Sequence, residues 1–107
     1  MPEIRQGEVW WVNLAPPAGR RPAMILTRNS AVAQMMRVTV APLTRTTRGI
    51  DSEVVLTPEA GVPSLCAVSL DNLVTISKQL LERRIVALPA DVMDEVFEAI
   101  RFTFDMP

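Results

Sequence analysis

Arg20 and Arg21 stand side by side in Gly19-Arg20-Arg21-Pro22, directly ahead of the apolar run Ala23-Met24-Ile25-Leu26. A guanidinium carries a planar fork of N–H donors that matches the paired oxygens of a phosphate or carboxylate. Its side chain is long and mobile, but a Gly/Pro corner followed by a buried strand would hold its backbone still, which is how a rigid anion site is built. A second concentration of donors follows in Thr44-Arg45-Thr46-Thr47-Arg48-Gly49, where hydroxyls and guanidinium groups alternate in a polar loop closed by Gly. Both donor types bond phosphate oxygens. Asp71-Asn72, at the end of the apolar run Ser64-Leu65-Cys66-Ala67-Val68-Ser69-Leu70, adds an acid and an amide.

The chemistry open to the chain is narrowed by what it lacks. It has no His and no Tyr, and Cys66 is its single cysteine. His-based acid–base or nucleophilic catalysis, His metal sites and a Tyr nucleophile are therefore excluded. No intramolecular disulfide can form, which fits a reducing cytoplasmic compartment. Cys66 reads as a small core residue, since a nucleophilic thiol needs a partner to lower its pKa. Phosphate-loop, dinucleotide and zinc patterns are absent, so no cofactor and no metal are expected.

The net charge of −1 conceals an asymmetry. Residues 1–50 carry seven Arg against Glu3 and Glu8, or +5, and residues 51–107 carry four cations against ten acids, or −6. Every early cation is Arg rather than Lys, which suits bidentate phosphate contacts, so the chain is expected to show a basic face and an acidic back. With 107 residues, 49% of them apolar, it reads as a single domain spanning 1–107. No apolar run approaches the ~20 residues of a membrane span. The hydrophilic start Met1-Pro2-Glu3-Ile4-Arg5-Gln6 has no signal-peptide core.

The elements that must position these residues are mostly strands. Gly7-Glu8-Val9-Trp10-Trp11-Val12-Asn13-Leu14 predicts the first, with its adjacent tryptophans on opposite faces. One enters the core; the other lies on a second face, as core or subunit contact ahead of a stacking platform. Residues 15–19 form a Pro/Gly loop, and strands are predicted at 22–27, 38–43, 50–57, 64–70 and 83–88. A short helical segment at 30–36 would be capped by Asn29-Ser30, and another helical turn falls at 77–82. Arg83 and Arg84 then read as exposed charges at a strand start. From Pro89-Ala90-Asp91 onward the spacing predicts an amphipathic helix, with Asp91, Asp94, Glu95, Glu98, Arg101 and Asp105 on one face. Val92, Met93, Val96, Phe97, Ile100 and Phe104 form the packed face, and the helical period of the acids marks a solvated surface rather than metal ligands.

In order and spacing the chain resembles the MazF/PemK toxins of bacterial toxin–antitoxin pairs, from Arg5 to Phe104. The likeness rests on Arg5-Gln6-Gly7-Glu8-Val9-Trp10, on Gly19-Arg20-Arg21-Pro22 before its strand, on Val40-Ala41-Pro42-Leu43-Thr44, and on Leu70-Asp71-Asn72-Leu73-Val74-Thr75-Ile76. The resemblance implies an α+β fold that is mainly β: a small SH3-like barrel, or a strongly curved antiparallel sheet, with a C-terminal helix. It implies a homodimeric, metal-independent, sequence-specific endoribonuclease acting on single-stranded RNA, and an antitoxin whose acidic, disordered segment fills the RNA groove. Residue by residue, the family's catalytic Arg falls on Arg21 and its catalytic Thr on Thr44. The chain departs from the family in its short 15–19 loop, in Asp71-Asn72 for Glu-Gln, and in Val74 for an Arg.

RNA carries its own nucleophile, the 2′-hydroxyl, so such an enzyme need only align it, offset charge on the phosphoryl oxygens and move protons, leaving a 2′,3′-cyclic phosphate and a 5′-hydroxyl. Arg21 would stabilise the charged transition state, with Arg20 and Arg28 adding field, and Thr44 would orient the phosphate. Arg45, Thr46, Arg48, Asp71, Asn72 and Thr75 are the expected substrate contacts. Asp71 and water are the candidate bases, because an arginine with a pKa above ~12 stays protonated. The rival readings are a CcdB-like gyrase poison of the same architecture and a non-catalytic RNA-binding module.

Overall fold

The computed structural model describes residues 3–107; Met1 and Pro2, part of the hydrophilic N-terminus, lie outside it. Its strands are β1 (Glu8–Asn13), β2 (Arg20–Ile25), β3 (Arg37–Thr44), β4 (Glu53–Leu56), β5 (Cys66–Ser69), β6 (Val74–Ser77) and β7 (Leu81–Ala87). Two α-helices, α1 (Asn29–Val32) and α2 (Ala90–Thr103), and three single 3-10 turns complete it. Every strand pairing is antiparallel, in the order β4-β5-β3-β2-β1-β7, with β6 pairing the first half of β3.

The topology forces strong curvature. β6 and β7 lie at opposite ends of the run β6-β3-β2-β1-β7, yet only the turn Lys78–Leu80 joins them. Laid flat, strands four gaps apart would stand ~19 Å from one another, whereas the chain from Ser77 to Leu81 spans at most ~14 Å. The sheet must therefore curl. It stays open, because no ladder joins β6 to β7 among the described residues. The expected fold is thus found in its curved-sheet form rather than as a closed barrel.

Alternation along the strands feeds two cores, one on each face. Val9, Met24, Ala41 and Leu43 pack with Val54, Val68 and Leu70 beneath Met93, Val96 and Ala99 of α2. Trp10, Val12, Ala23, Ile25, Val38 and Val40 fill the inside of the curl with Ile76 and Leu81. Gly7, with φ +89, sits against α2: a Cβ there would come within 3.1 Å of the Met93 sulfur. Glu8 is buried, and its carboxylate accepts bonds from the Arg5 N–H at 2.9 Å, Trp10 Nε1 at 3.0 Å and Arg84 at 3.0 Å. Arg84 is exposed as expected, but it lies inside β7 rather than at its start and its guanidinium is paired with Glu8.

Other expectations shift for physical reasons. β2 begins at Arg20, not Pro22, because Asn13 and Val12 of β1 pair with Arg20 and Arg21. The arginines belong to a ladder, not to a loose corner. β6 was not foreseen: its four residues are too few, and too exposed on one side, to show a period. α1 is a single turn whose preceding residue is Arg28, with no side-chain cap; the Asn29 side-chain oxygen Oδ1 instead accepts the Gln6 N–H at 2.7 Å. Phe104 falls past the end of α2 and is exposed.

Candidate active site

The curl leaves an open mouth along β3, lined from Arg37 at its start to Thr44 at its end. A groove of about 760 Å³ lies there, floored by Leu14, Pro42, Ile76 and Leu80 and flanked by Arg21, Arg37 and Arg48. A smaller hollow of about 340 Å³ lies beyond it, with Trp11, Arg20 and Arg45 in its lining. Arg21, Thr44 and Thr46 line both, so they form the ridge between the two.

The sheet register puts the two principal candidates together. Ala23 pairs with Pro42, Met24 with Ala41 and Ile25 with Val40. Continued by two residues, the same register sets Arg21 opposite Thr44. Neighbouring side chains across an antiparallel pair have Cβ atoms ~5 Å apart. Each is also oriented by its own partner. Arg21 donates from Nε at 3.3 Å and Nη2 at 3.1 Å to the carbonyl oxygen of Ala18, which leaves its remaining terminal N–H groups for an anion. Ala18 is held by a tight connection in which Gly19 has φ +68 and Leu14 N–H donates to Gly19 O at 3.0 Å. Thr44 Oγ1 accepts the Thr46 N–H at 3.1 Å. With a lone pair occupied in this way, the hydroxyl proton is free to donate outward.

The other expected residues divide. Thr46, Arg48, Asn72 and Thr75 line the groove. Asn72 donates to Ser69 Oγ at 2.7 Å, and the Thr75 hydroxyl lies 2.8 Å from that of Thr39. Arg20 and Arg45 line the smaller hollow; Arg20 pairs with Glu82 at 2.7 Å and lies 4.3 Å over the Trp11 ring, so its charge is partly spent. Arg28 lines neither hollow. Asp71 also lines neither; its carboxylate accepts the Ser52 hydroxyl and stands 3.9 Å from Arg48.

Two groove residues were missed. Arg37, at the start of β3, donates to Thr75 O at 3.1 Å; it fell between the predicted helical segment at 30–36 and the strand at 38–43 and was counted only among the early arginines. Glu53 is the groove's one acid, its side chain 1% exposed, and its oxygens accept the Arg48 N–H at 2.9 Å and Arg48 Nε at 3.0 Å. An acid at the alternating start of a strand, five residues after an Arg, was the available signal. Cys66 is buried, and that burial pushes its thiol pKa up, as a core cysteine requires. Among the described residues no three Cys, Asp or Glu side chains gather as a metal-ligand set, and no helix is long and apolar enough to cross a membrane.

The acids collect elsewhere. Asp51, Glu95 and Glu98 line a further hollow beside α2, which meets the arginine groove at Glu53.

Residues 5–104 match the family of PemK-like, MazF-like toxins of type II toxin–antitoxin systems. A probable endoribonuclease, MazF5 of Mycobacterium tuberculosis, is 39% identical over 101 residues, covering 94% of this chain and 92% of that protein. Endoribonuclease MazF3 of the same species is 37% identical over 95 residues, 89% of this chain and 92% of its own. Among solved structures, the Mycobacterium tuberculosis toxin MazF-mt6 superposes with a TM-score of 0.86 at 35% identity, covering 94% of this chain and 98% of that one. MazF in a MazE–MazF crystal structure from Deinococcus radiodurans gives 0.81 at 26% identity, covering 97% and 98%. The curled sheet, the arginine groove and the family match across nearly the whole chain agree: the chain belongs to the PemK-like, MazF-like toxins of type II toxin–antitoxin systems.

Proposed function

We propose that this toxin is a sequence-specific, metal-independent endoribonuclease that cuts single-stranded RNA to 2′,3′-cyclic phosphate and 5′-hydroxyl ends. The observation that carries the reading is the Arg21–Thr44 ridge, a fixed cation and a fixed hydroxyl donor side by side between two hollows. A strand laid across the ridge would lodge the nucleotides on either side of one phosphate in separate hollows. The 2′-oxygen attacks phosphorus, and the bond to the 5′-oxygen of the next nucleotide breaks. Arg21 offsets the charge growing on the phosphoryl oxygens, and Thr44 donates to one of them and fixes its orientation. Asp71 lines neither hollow, and Glu53 has both oxygens on Arg48, so neither is presented to the 2′-hydroxyl as a free base. Water therefore takes the 2′-hydroxyl proton and supplies one to the leaving oxygen.

The same groove is the natural seat of an antitoxin with an acidic, disordered segment, since carboxylates match the guanidinium groups that hold phosphate. The MazE–MazF complex of a relative supports this partner. A homodimer is supported by large apolar side chains left in solvent, with Phe102 60% and Phe104 53% exposed. The deciding experiment incubates the protein with long mixed-sequence RNA in EDTA and maps the ends formed. Cuts at one short motif bearing cyclic phosphate are expected. RNA left intact overturns the reading, and tight binding without cuts points to a binding module.

A further inference from the structure

Glu53 is the buried acid of the groove, and the reaction as described does not use it. It lines a groove whose other polar side chains are cations, hydroxyls and one amide, where a negative charge should repel an RNA backbone. Its place is fixed by the ladder, Glu53 opposite Ser69, and by the bond from its own N–H to Ile50 O at 3.0 Å. Its carboxylate holds Arg48 at two points, the backbone N–H at 2.9 Å and Nε at 3.0 Å. The Nε edge of Arg48 is thus engaged, while its side chain stays 51% exposed in the wall of the groove. Asp71, at 3.9 Å from Nη2, flanks the guanidinium and is itself held by the Ser52 hydroxyl.

We infer that Glu53 is a positioning residue for RNA: it clamps the Nε edge of Arg48 and the loop that carries it, so that the terminal nitrogens of Arg48 meet a backbone phosphate in a fixed orientation. The inference rests on the RNA reading of the groove. A guanidinium on a free loop would bind the same phosphate only after losing its rotamer freedom, and the buried carboxylate removes that cost before the substrate arrives. The clamp acts on binding rather than on the chemical step, because Arg48 stands on the groove wall and not on the Arg21–Thr44 ridge.

The sign of one measurement separates this role from others. Glu53→Gln removes a negative charge, so by field alone RNA should bind more tightly. If Glu53 positions Arg48, RNA binds more weakly. The probe is a short RNA bearing the mapped cut site, with hydrogen replacing the 2′-hydroxyl at the scissile nucleotide so that it cannot be cut. Glu53→Gln is expected to weaken its binding about tenfold and to raise KM for the cleavable RNA by a similar factor, with kcat within about threefold of wild type. Arg48→Ala should weaken binding comparably, and Arg48→Ala with Glu53→Gln together should do no more than Arg48→Ala alone. Unchanged or tighter binding by Glu53→Gln overturns the inference, as does a collapse of kcat, which would make Glu53 a base. Should Glu53→Gln fail to fold, Arg48→Lys decides: it keeps the charge without the planar fork, and binding equal to wild type overturns the clamp. If the wild-type protein yields no cut site to map, it is the RNA reading that has failed.

Discussion

Of the three arginines that line the groove, Arg21 and Arg48 are each held by the Nε edge. Arg21, on β2, is tethered to a neutral carbonyl, Ala18 O. Arg48, on the loop before β4, is tethered to a buried carboxylate, Glu53. The tethers differ in what they leave behind. A carbonyl orients the guanidinium and leaves its full positive charge for whatever binds. A carboxylate orients it more firmly but cancels most of its long-range field. The first arrangement suits a site where new negative charge appears during a reaction, and the second suits a site that must be in register beforehand. On the proposed RNA reading, the divided tethering suits Arg21 to transition-state stabilisation and Arg48 to substrate alignment.

That contrast can be broken most directly at Arg21. Arg21→Ala should lower kcat by about 10³-fold, the scale of losing a preorganised donor to a developing oxyanion, without changing the thermal midpoint. A loss confined to KM would make the two arginines equivalent and erase the distinction. Thr44→Val, which keeps shape but removes the hydroxyl, should lower kcat by about 10²-fold. The salt dependence of binding the uncleavable RNA sharpens the comparison. Arg21→Ala should flatten the slope of log affinity against log salt by ~0.7, the value of one phosphate contact on a single strand. The paired replacement of Arg48 and Glu53, removing a cation and an anion together, should flatten it by less than half as much.

Smaller effects test the supports. Gly19 has φ +68 with open space where a Cβ would stand, so Gly19→Ala costs only backbone strain, about 1 kcal/mol in a denaturant titration. Because Gly19 neighbours the Ala18 carbonyl, kcat should fall modestly while KM stays unchanged. Cys66, whose thiol pKa is raised by burial, should resist iodoacetamide at pH 8 in the folded protein and react only on unfolding. Rapid native labelling would mean that the wall of the smaller hollow opens readily.

Much of this arrangement was legible in one dimension. β1, β3, β5 and α2 announce themselves through β-branched runs and a helical period, because burial on one face writes that face into the spacing. Arg21, Thr44 and the loop at 44–49 stand out because polar donors at the ends of apolar runs have no packing reason to be there. β6 and Arg37 did not stand out. A four-residue edge strand buries too little to leave a pattern, and a cation at a strand start looks like any solvated charge.

The local sequence therefore determined most of the elements, the absence of His and Tyr chemistry, and the arginine-rich half. Only the tertiary structure decided which residues meet. Register across β2 and β3 sets Arg21 against Thr44, residues 23 positions apart in the chain. The curl forced by the short link from β6 to β7 opens the groove beside them. Burial turns Glu53 from one acid among twelve into the clamp on Arg48. Pairing register and burial are properties of distant segments taken together, and neither is carried by the spacing within any one of them.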